Sequence, residues 1–526
     1  MPGREVHMPG LGIGRSHGGV RGANHAPQSP SYEGRFGRLF RRLRPASFSE
    51  QALHALATLM VAPFEAAPTP ETAVDNEENQ GIAAGYTYLG QFIDHDLTFD
   101  PASSLMKQND PDALVDFRSP RFDLDNIYGR GPDDQPYLYE ADGRHLQLGR
   151  TLTGNPTDPD TRDVPRHVSE SGGANARARA LIGDPRNDEN VIISQLQATM
   201  LRFHNKMADE HADEDLATVQ RLVRWHYQWV VLNDFLVTIV GADLVQSILP
   251  HLKSGRSILE DAPRLLFYRW RNNPFIPVEF SAAAYRFGHS MVRPIYRLNT
   301  TLGTDPPPSS DPVNGRQFIF HPDDDTQSLN GFRAFPSIWA IEWKLFFDMG
   351  DHLPNVGVKR LQRAYKIDTS LVNPLGRLPT SFGFTEEQRS LAERNLLRGL
   401  RLGLPSGQDV ARTMSQEVIS DDNLKVGKAT EEDQAKNPKL VDIKDFGKEF
   451  AGKAPLWFYV LAEAQQQFNR DSTPIRLGPV GGRLVAETFI GLLLADRHSF
   501  LSQEPHWAPN KSRRFMMADL IKKATS

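Results

Sequence analysis

The sequence predicts a mostly α-helical protein built as one large domain. Several long segments place apolar side chains at mixed spacings of three and four, as one buried helical face requires. Strand-like alternation is rare and short. Polar spacers rich in Pro and Gly separate the apolar segments, and the helices on either side would lack partners unless they pack together.

Taken in chain order, Met1 to Pro45 is rich in Gly, Pro and Arg, with no apolar run. It is expected to be an extended or wrapping basic arm ahead of a catalytic domain over 46–526. The stretch "LGQFIDHDLTF" predicts a helix over 89–97. "SQLQATMLRFHNKMADEHAD" predicts a helix buried through Leu196, Met200, Leu201, Phe203 and Met207. "ATVQRLVRWHYQWVVLNDFLVTIVGADLVQSIL" continues in the same style. Asn233, Asp234 and Asp243 interrupt its apolar centre, so it reads as a core helix and not a membrane span. "FRAFPSIWAIEWKLFFDM", "EEQRSLAERNLLRGLRLG" and "GGRLVAETFIGLLLADRHSFL" complete the predicted helices. "GNPTDPDTRDVPRHVSESGGANARARA" and "LGTDPPPSSDPVNG" read as surface loops. "LGPVGG" at 477–482 lacks the Lys-Ser/Thr of a phosphate loop and is expected to shape the entry to the following helix.

Composition bounds the function. The chain has 526 residues, 39% hydrophobic and 24% charged, as in an ordinary globular protein. Its net charge of −5, from 60 basic and 65 acidic residues, argues against nucleic acid as the main partner. With no cysteine, disulfides, thiolate metal sites and cysteine nucleophiles are excluded. The N-terminus has no secretory pattern, so the expected location is cytoplasmic, or outside the cell by a route without a classical signal peptide. A monomer is expected.

The chemistry-bearing stretches start with "LGQFIDHDLTF". On a helix, Gln91 and His95 share a face and Asp94 and Asp96 flank it. A histidine on an apolar helix is usually a satisfied core residue. Two flanking carboxylates change this, because burying both needs a cation or a covalent partner. "RSPRFDLDNIYG" supplies Asp123 and Asp125 two residues apart, after Ser119, and hard oxygen donors on a short loop suit Ca²⁺. Arg186 and Glu189 stand three apart in "IGDPRNDENVII", where an ordinary helix N-terminus is the plain alternative. "YRFGHSMVRP" holds Arg286 and His289, and "ERNLLRGLRLGLP" holds Asn395 and Arg398 three apart. His204, within "LRFHNK", reads as a structural histidine.

Taken in order, "LGQFIDHDLTF", "SPRFDLDNIYG", "GDPRNDEN…LRFHNKMA", "RFGHSMVRP", "RNLLRGLRLGLP" and "LGPVGGRLVAETFIGLLLADR" resemble the animal-type haem peroxidases of the peroxidase–cyclooxygenase superfamily. The resemblance runs over roughly residues 80 to 500. A chain without cysteine or signal is expected of a bacterial branch.

The resemblance implies a multi-helix fold with haem b buried between core helices. It implies that His95 is the distal histidine, Arg186 the distal arginine and Gln91 a distal-cavity glutamine that binds water or halide. His289 would be the proximal iron ligand, with Asn395 accepting its hydrogen bond. Arg286 and Arg398 would lie near the haem propionates. Asp94 and Glu189 match the carboxylates that form esters with haem methyls. Asp96, Ser119, Asp123, Asp125 and the backbone carbonyl of Arg121 match a calcium site. Two positions depart from relatives. Asn190 stands where myeloperoxidase has a methionine that forms a third link to haem, so at most two links are implied. Arg286 stands where cyclooxygenases carry a radical-forming tyrosine, with Tyr285 one position away.

The expected function is therefore a haem peroxidase that reduces H₂O₂ and oxidises small organic donors, with halides or thiocyanate as further candidates. A fatty-acid dioxygenase on the same fold, and a non-catalytic haem- and calcium-binding protein, are the alternatives.

Overall fold

A computed structural model describes residues 34–63, 76–98, 115–116, 118–167, 178–269, 274–302, 315–321, 328–379, 389–430, 441–468 and 473–526. Most of the predicted arm (1–33) and the centre of the "LGTDPPPSSDPVNG" spacer lie outside these residues. Residues 34–45 pack on the domain: Phe36 and Phe40 are buried, and the backbone N–H groups of Leu39 and Phe40 donate to the buried Glu279 carboxylate at 3.1 Å.

Helices carry the architecture: α1 (Glu50–Met60), α2 (Gly85–Leu97), α3 (Val191–Glu210), α4 (Leu216–Val230), α5 (Leu391–Arg401), α6 (Leu456–Gln465), α7 (Pro479–Ala495) and α8 (Met517–Thr525). Strands are short. β1 (Gly34–Gly37) lies between β3 (Val115–Asp116, antiparallel) and β4 (Ile276–Pro277, parallel), while β2 (Glu78–Ala83) pairs antiparallel with β5 (Arg363–Tyr365) across an irregular register.

The helix N-termini follow from local chemistry. Asn190 caps α3, its side-chain oxygen accepting from the N–H groups of Ile192 and Ile193, and Asp215 caps α4 through Thr218 N–H. At α7, Gly478 and Pro479 start the helix inside "LGPVGG". The Glu463 carboxylate, reaching over from α6, accepts from the otherwise unpaired N–H groups of Val480 and Gly481 at 3.0 Å. The long apolar stretch after α4 is not one helix. It passes through a π-turn over Val231–Phe235 and breaks at Gly241, whose φ is +88°.

One predicted helix is absent. "FRAFPSIWAIEWKLFFDM" forms an extended strap with a single short 3₁₀ turn, Trp343–Leu345. Pro336 lacks an N–H, and the strap's backbone groups find partners elsewhere: Gln195 on α3 donates to Trp339 O and accepts from Ile341 N–H, and Ala340 N–H donates to Thr153 O. Helices α1, α6 and α8 did not stand out in the sequence.

The core around α2 is aromatic. Phe489 of α7 packs on Phe122, Phe235, Phe280 and Tyr285, with ring centroids 5.1–6.1 Å apart. Two segments are clamped together here. Thr87 on α2 donates to Met291 O at 3.4 Å, and Tyr285 donates its hydroxyl to Gly90 O at 3.2 Å. The buried Glu78 carboxylate, just ahead of α2, pairs with Arg293 (2.7 Å) and Arg360 (2.6 Å). α2 is thereby held against the segment that carries His289. Phe489→Ala removes the ring shared by four aromatic contacts and should destabilise the fold by about 3–5 kcal/mol. A fall in thermal midpoint with unchanged helical circular dichroism at low temperature is the expected result.

Candidate functional site

The site forms where α2 faces two short 3₁₀ segments, Pro185–Asp188 and Ala284–His289, with α5 behind the second. Asp184 organises the first segment. It caps the turn through Arg186 N–H at 2.9 Å and accepts from the Arg186 guanidinium at 2.9 and 3.1 Å, and Arg118 donates to the same Oδ2 that Arg186 holds. Burial alone would raise this carboxyl, but the charges of Arg186 and Arg118 outweigh it and hold the group well below the usual range. Arg186 also donates to His95 O at 3.1 Å and to Thr98 O. The turn is therefore fastened to the C-terminal end of α2. Close backbone packing on the other side needs Gly331, where a Cβ would lie 1.6 Å from Asp188 O.

His95 is buried on α2 and its Nδ1 contacts Asn187 Oδ1 at 2.6 Å. Burial and the neighbouring Arg186 push the imidazole down to about 4, so it is neutral at pH 7. Asp94, half-buried, accepts from Thr98 Oγ1 at 3.3 Å. Gln91 uses both ends of its amide, donating to Glu189 at 3.1 Å and accepting from Asn190 Nδ2 at 3.4 Å. Burial raises the Glu189 carboxyl to about 7, opposed by the charge of Arg186.

Across the site, His289 meets Asn395 of α5 at 2.8 Å, the partnership the sequence implies. The direction differs from expectation. Asn395 Oδ1 already accepts from Arg286 at 3.1 Å, so the amide nitrogen and not the oxygen faces His289 Nδ1. Arg286, Arg394 and Arg398 crowd together here. Burial and Arg398 bring the Arg286 guanidinium down to about 9, and burial with Arg286 and Arg394 brings His289 down to about 3. This is a half-buried cationic group with Asp94 and Glu189 as nearby anions. It fits a ligand carrying two carboxylates beside a metal that His289 could bind, as haem does. Arg394 was not singled out from the sequence, although it lies one helical turn before Arg398 on α5. Asp184 and Asn187 were also missed, because only the tertiary fold brings them to His95.

The acidic group on the other side of α2 behaves differently. Asp96 is fully buried and neither oxygen has a partner at full hydrogen-bond geometry, with Leu124 N–H and Tyr227 OH its nearest donors; one oxygen of Asp123 is likewise unpartnered. Burial and then the charges of Asp123 and Asp125 push the Asp96 carboxyl well up, and burial with Asp125 raises Asp123 to about 7. Ser119 donates to the other Asp123 oxygen at 2.5 Å, and the Arg121 side chain lies 3.8 Å from Asp496. The charge pattern fits a cation with oxygen ligands. Among the described residues, however, no three acidic or histidine side chains already stand in a metal-coordinating arrangement. No helix of the described residues is long and apolar enough to cross a membrane.

His204 has the structural reading expected of it. Tyr128 OH lies 2.9 Å from Nδ1 and Arg144 O lies 2.9 Å from Nε2.

The sequence model of the family described as animal haem peroxidase matches residues 107–335, a span that includes Arg186, Glu189 and His289 but not α2. Peroxidasin of Drosophila melanogaster is 24% identical over 374 residues, covering 68% of this chain and 20% of its own. The matched parts span 12 to 22% of the length of the first curated relatives. In fold, the chain is similar to peroxidase A of Dictyostelium discoideum (TM-score 0.57, 17% identity, 94% of this chain and 93% of that one). It is also similar to a fatty acid alpha-dioxygenase of Arabidopsis thaliana (0.53, 14%, 92% and 74%).

His204 and His226 are both lowered by burial to about 4 from an ordinary value near 6.5. At these two sites the unfolded chain therefore binds more protons between these values, so their contribution to stability is complete above about pH 6.5 and is lost as pH falls toward 4. Comparing thermal unfolding of the unaltered protein and a variant across this range isolates that contribution. His204→Gln should make the pH dependence shallower while lowering the midpoint at pH 7.

Proposed function

We propose that this chain, which has the sequence signature and fold of the animal haem peroxidase superfamily, is a haem-dependent peroxidase that reduces hydrogen peroxide and oxidises small organic donors, with halides or thiocyanate among the candidates. One observation carries the reading. A neutral, buried His95 with Arg186 beside it stands on α2, which packs on the segment carrying a second histidine, His289, with Arg286, Arg394 and Arg398 gathered around the latter.

Haem would supply the redox-active iron on which peroxide is cleaved. His289 would hold that iron, and Arg286, Arg394 and Arg398 would receive the propionates. Were Arg286 drawn to an anion, the Asn395 amide could turn so that its oxygen accepts from His289 Nδ1, which would free the opposite ring nitrogen for a metal. His95 takes a proton from one peroxide oxygen and returns it to the other, which leaves as water. Neutrality at pH 7 suits it to this task. Arg186, fixed by Asp184, supplies positive charge where the O–O bond breaks. Asp94 and Glu189 are the candidates for ester bonds to haem. Gln91 aims the Glu189 carboxylate through its amide. Asn190 has no sulfur and serves as the α3 cap, so a third bond is not expected.

Calcium is the proposed partner of Asp96, Asp123 and Asp125, with Ser119 and the Arg121 carbonyl. The support is the unpartnered buried oxygens. A cation there would tie the loop after residue 118 to the end of α2. Retention of His95, Arg186 and His289 together disfavours a purely binding role.

Tyr285 supports a second reading, fatty-acid dioxygenase. Its phenol is buried and bonded to the carbonyl of Gly90, next to Gln91 on α2. Oxygen consumption on addition of linoleate or palmitate, abolished in Tyr285→Phe, would favour that reading over the peroxidase.

His289→Ala should lose haem and the Soret band, whereas His95→Gln should keep both and slow reaction with H₂O₂ by about 10²–10⁴-fold in stopped-flow spectra. A normal ferric spectrum in His289→Ala would overturn the ligand assignment. Elemental analysis should find one equivalent of calcium. Asp96→Asn or a chelator should lower the thermal midpoint, and calcium-free active protein would contradict the site. After peroxide cycling, mass spectra of haem peptides should show attachment through Asp94 and Glu189, with no adduct at Asn190.

A further inference from the structure

We propose that Asn187 is a positioning residue that fixes His95 as the Nδ1–H tautomer, leaving Nε2 as the nitrogen that accepts a proton. A neutral imidazole has one donor and one acceptor nitrogen, and the partner of one nitrogen decides the role of the other. Here that partner is an amide whose own direction is set two links away.

The chain of hydrogen bonds starts at the backbone carbonyl of Asn126, which can only accept. Gln197 Nε2 therefore donates to it, at 3.1 Å. That turns Gln197 Oε1 toward Asn187, which must present its nitrogen, at 2.8 Å. Asn187 is left with its oxygen toward His95 Nδ1, at 2.6 Å. An amide oxygen cannot donate, so the ring nitrogen carries the proton. Turning Asn187 around would set two acceptor oxygens against each other at Gln197. Turning Gln197 as well would move the same conflict to the Asn126 carbonyl. Asn126, Asn187 and Gln197 are all fully buried, so bulk water does not relieve either arrangement. The far end is fastened too, since Asn126 Nδ2 donates to Phe92 O at 3.3 Å, one turn before His95 on the same helix. The ring's Nε2 has no hydrogen-bond partner among the described residues.

The placement is economical in chain terms. Asn187 directly follows Arg186 in the turn that Asp184 caps. One short segment thus delivers both the guanidinium beside His95 and the amide that orients it. The assignment of the tautomer stands on these bonds alone; its consequence for turnover rests on the peroxidase reading.

The test is a two-bond proton–nitrogen correlation spectrum of the full chain, labelled with nitrogen-15 at histidine and produced without haem, with His95 identified by the signals lost in His95→Gln. Protonation at Nδ1 is expected. In Asn187→Ala the preference should be lost, and in Asn187→Asp, which keeps an acceptor oxygen, the Nδ1 proton should remain. In haem-loaded protein, Asn187→Ala should slow the reaction with H₂O₂ by about 10²-fold without altering the ferric spectrum. An Nε2–H signal in the unaltered protein, or an unchanged Nδ1–H signal in Asn187→Ala, overturns the proposal. The first of these outcomes needs no variant, so misfolding of Asn187→Ala does not shield the proposal. Haem-loaded protein that ignores peroxide while the Nδ1–H signal persists would reject the peroxidase reading and leave the tautomer assignment intact.

Discussion

The buried carboxylate of Asp184 is the contact on which the rest of the site depends. It joins two arginines from separate parts of the chain, and one of them, Arg186, grips two carbonyls at the end of α2. Removing one partner of such a group leaves uncompensated charge away from water, which costs far more than an exposed ion pair contributes. The direction of the guanidinium, the depth of His95 and the start of α3 all follow from this one fastening. The Glu78 carboxylate plays the matching part on the other side. It anchors the strand before α2 to Arg293, four residues beyond His289.

Around this frame the protein leaves two imbalances of charge. Guanidinium groups gather beside His289, and carboxylates gather at Asp96, Asp123 and Asp125. On the proposed function, an anion would balance the first group and a cation the second. The two lie on opposite sides of α2 and its neighbouring segments, so occupation of both would tighten the same helix. This is a physical reason for the alternation in Asp94-His95-Asp96: successive residues on a helix face different surroundings, and each meets a different demand.

Amide side chains do the finer positioning. From the backbone carbonyl of Asn126, Gln197 and Asn187 lead to His95, and Asn190 and Gln91 lead to Glu189. Both chains end on backbone groups of fixed polarity, which removes the freedom of an amide to turn over. Neutral groups suit the purpose, since they impose direction without adding charge to a site already crowded with it. Asn190 shows how one replacement serves two ends: its oxygen caps α3 while its nitrogen orients Gln91.

The sequence alone determined the helical character and the positions of α2, α3, α4, α5 and α7, because one-sided burial of a regular helix writes its period into the order of residues. It also marked His95, Arg186, His289 and Asn395 through local motifs. It misjudged the strap over 332–349, whose apolar content is as high as a helix's but whose backbone partners belong to α3 and to Thr153. It implied the opposite direction for the Asn395 amide, since that direction depends on Arg286 109 residues away in the chain. The roles of Asp184, Asn187 and Arg394, and the unpaired state of Asp96, were decided only by tertiary structure. Polar residues carry no periodic signature, and their meaning lies in which partners the fold brings within hydrogen-bond distance and which it withholds.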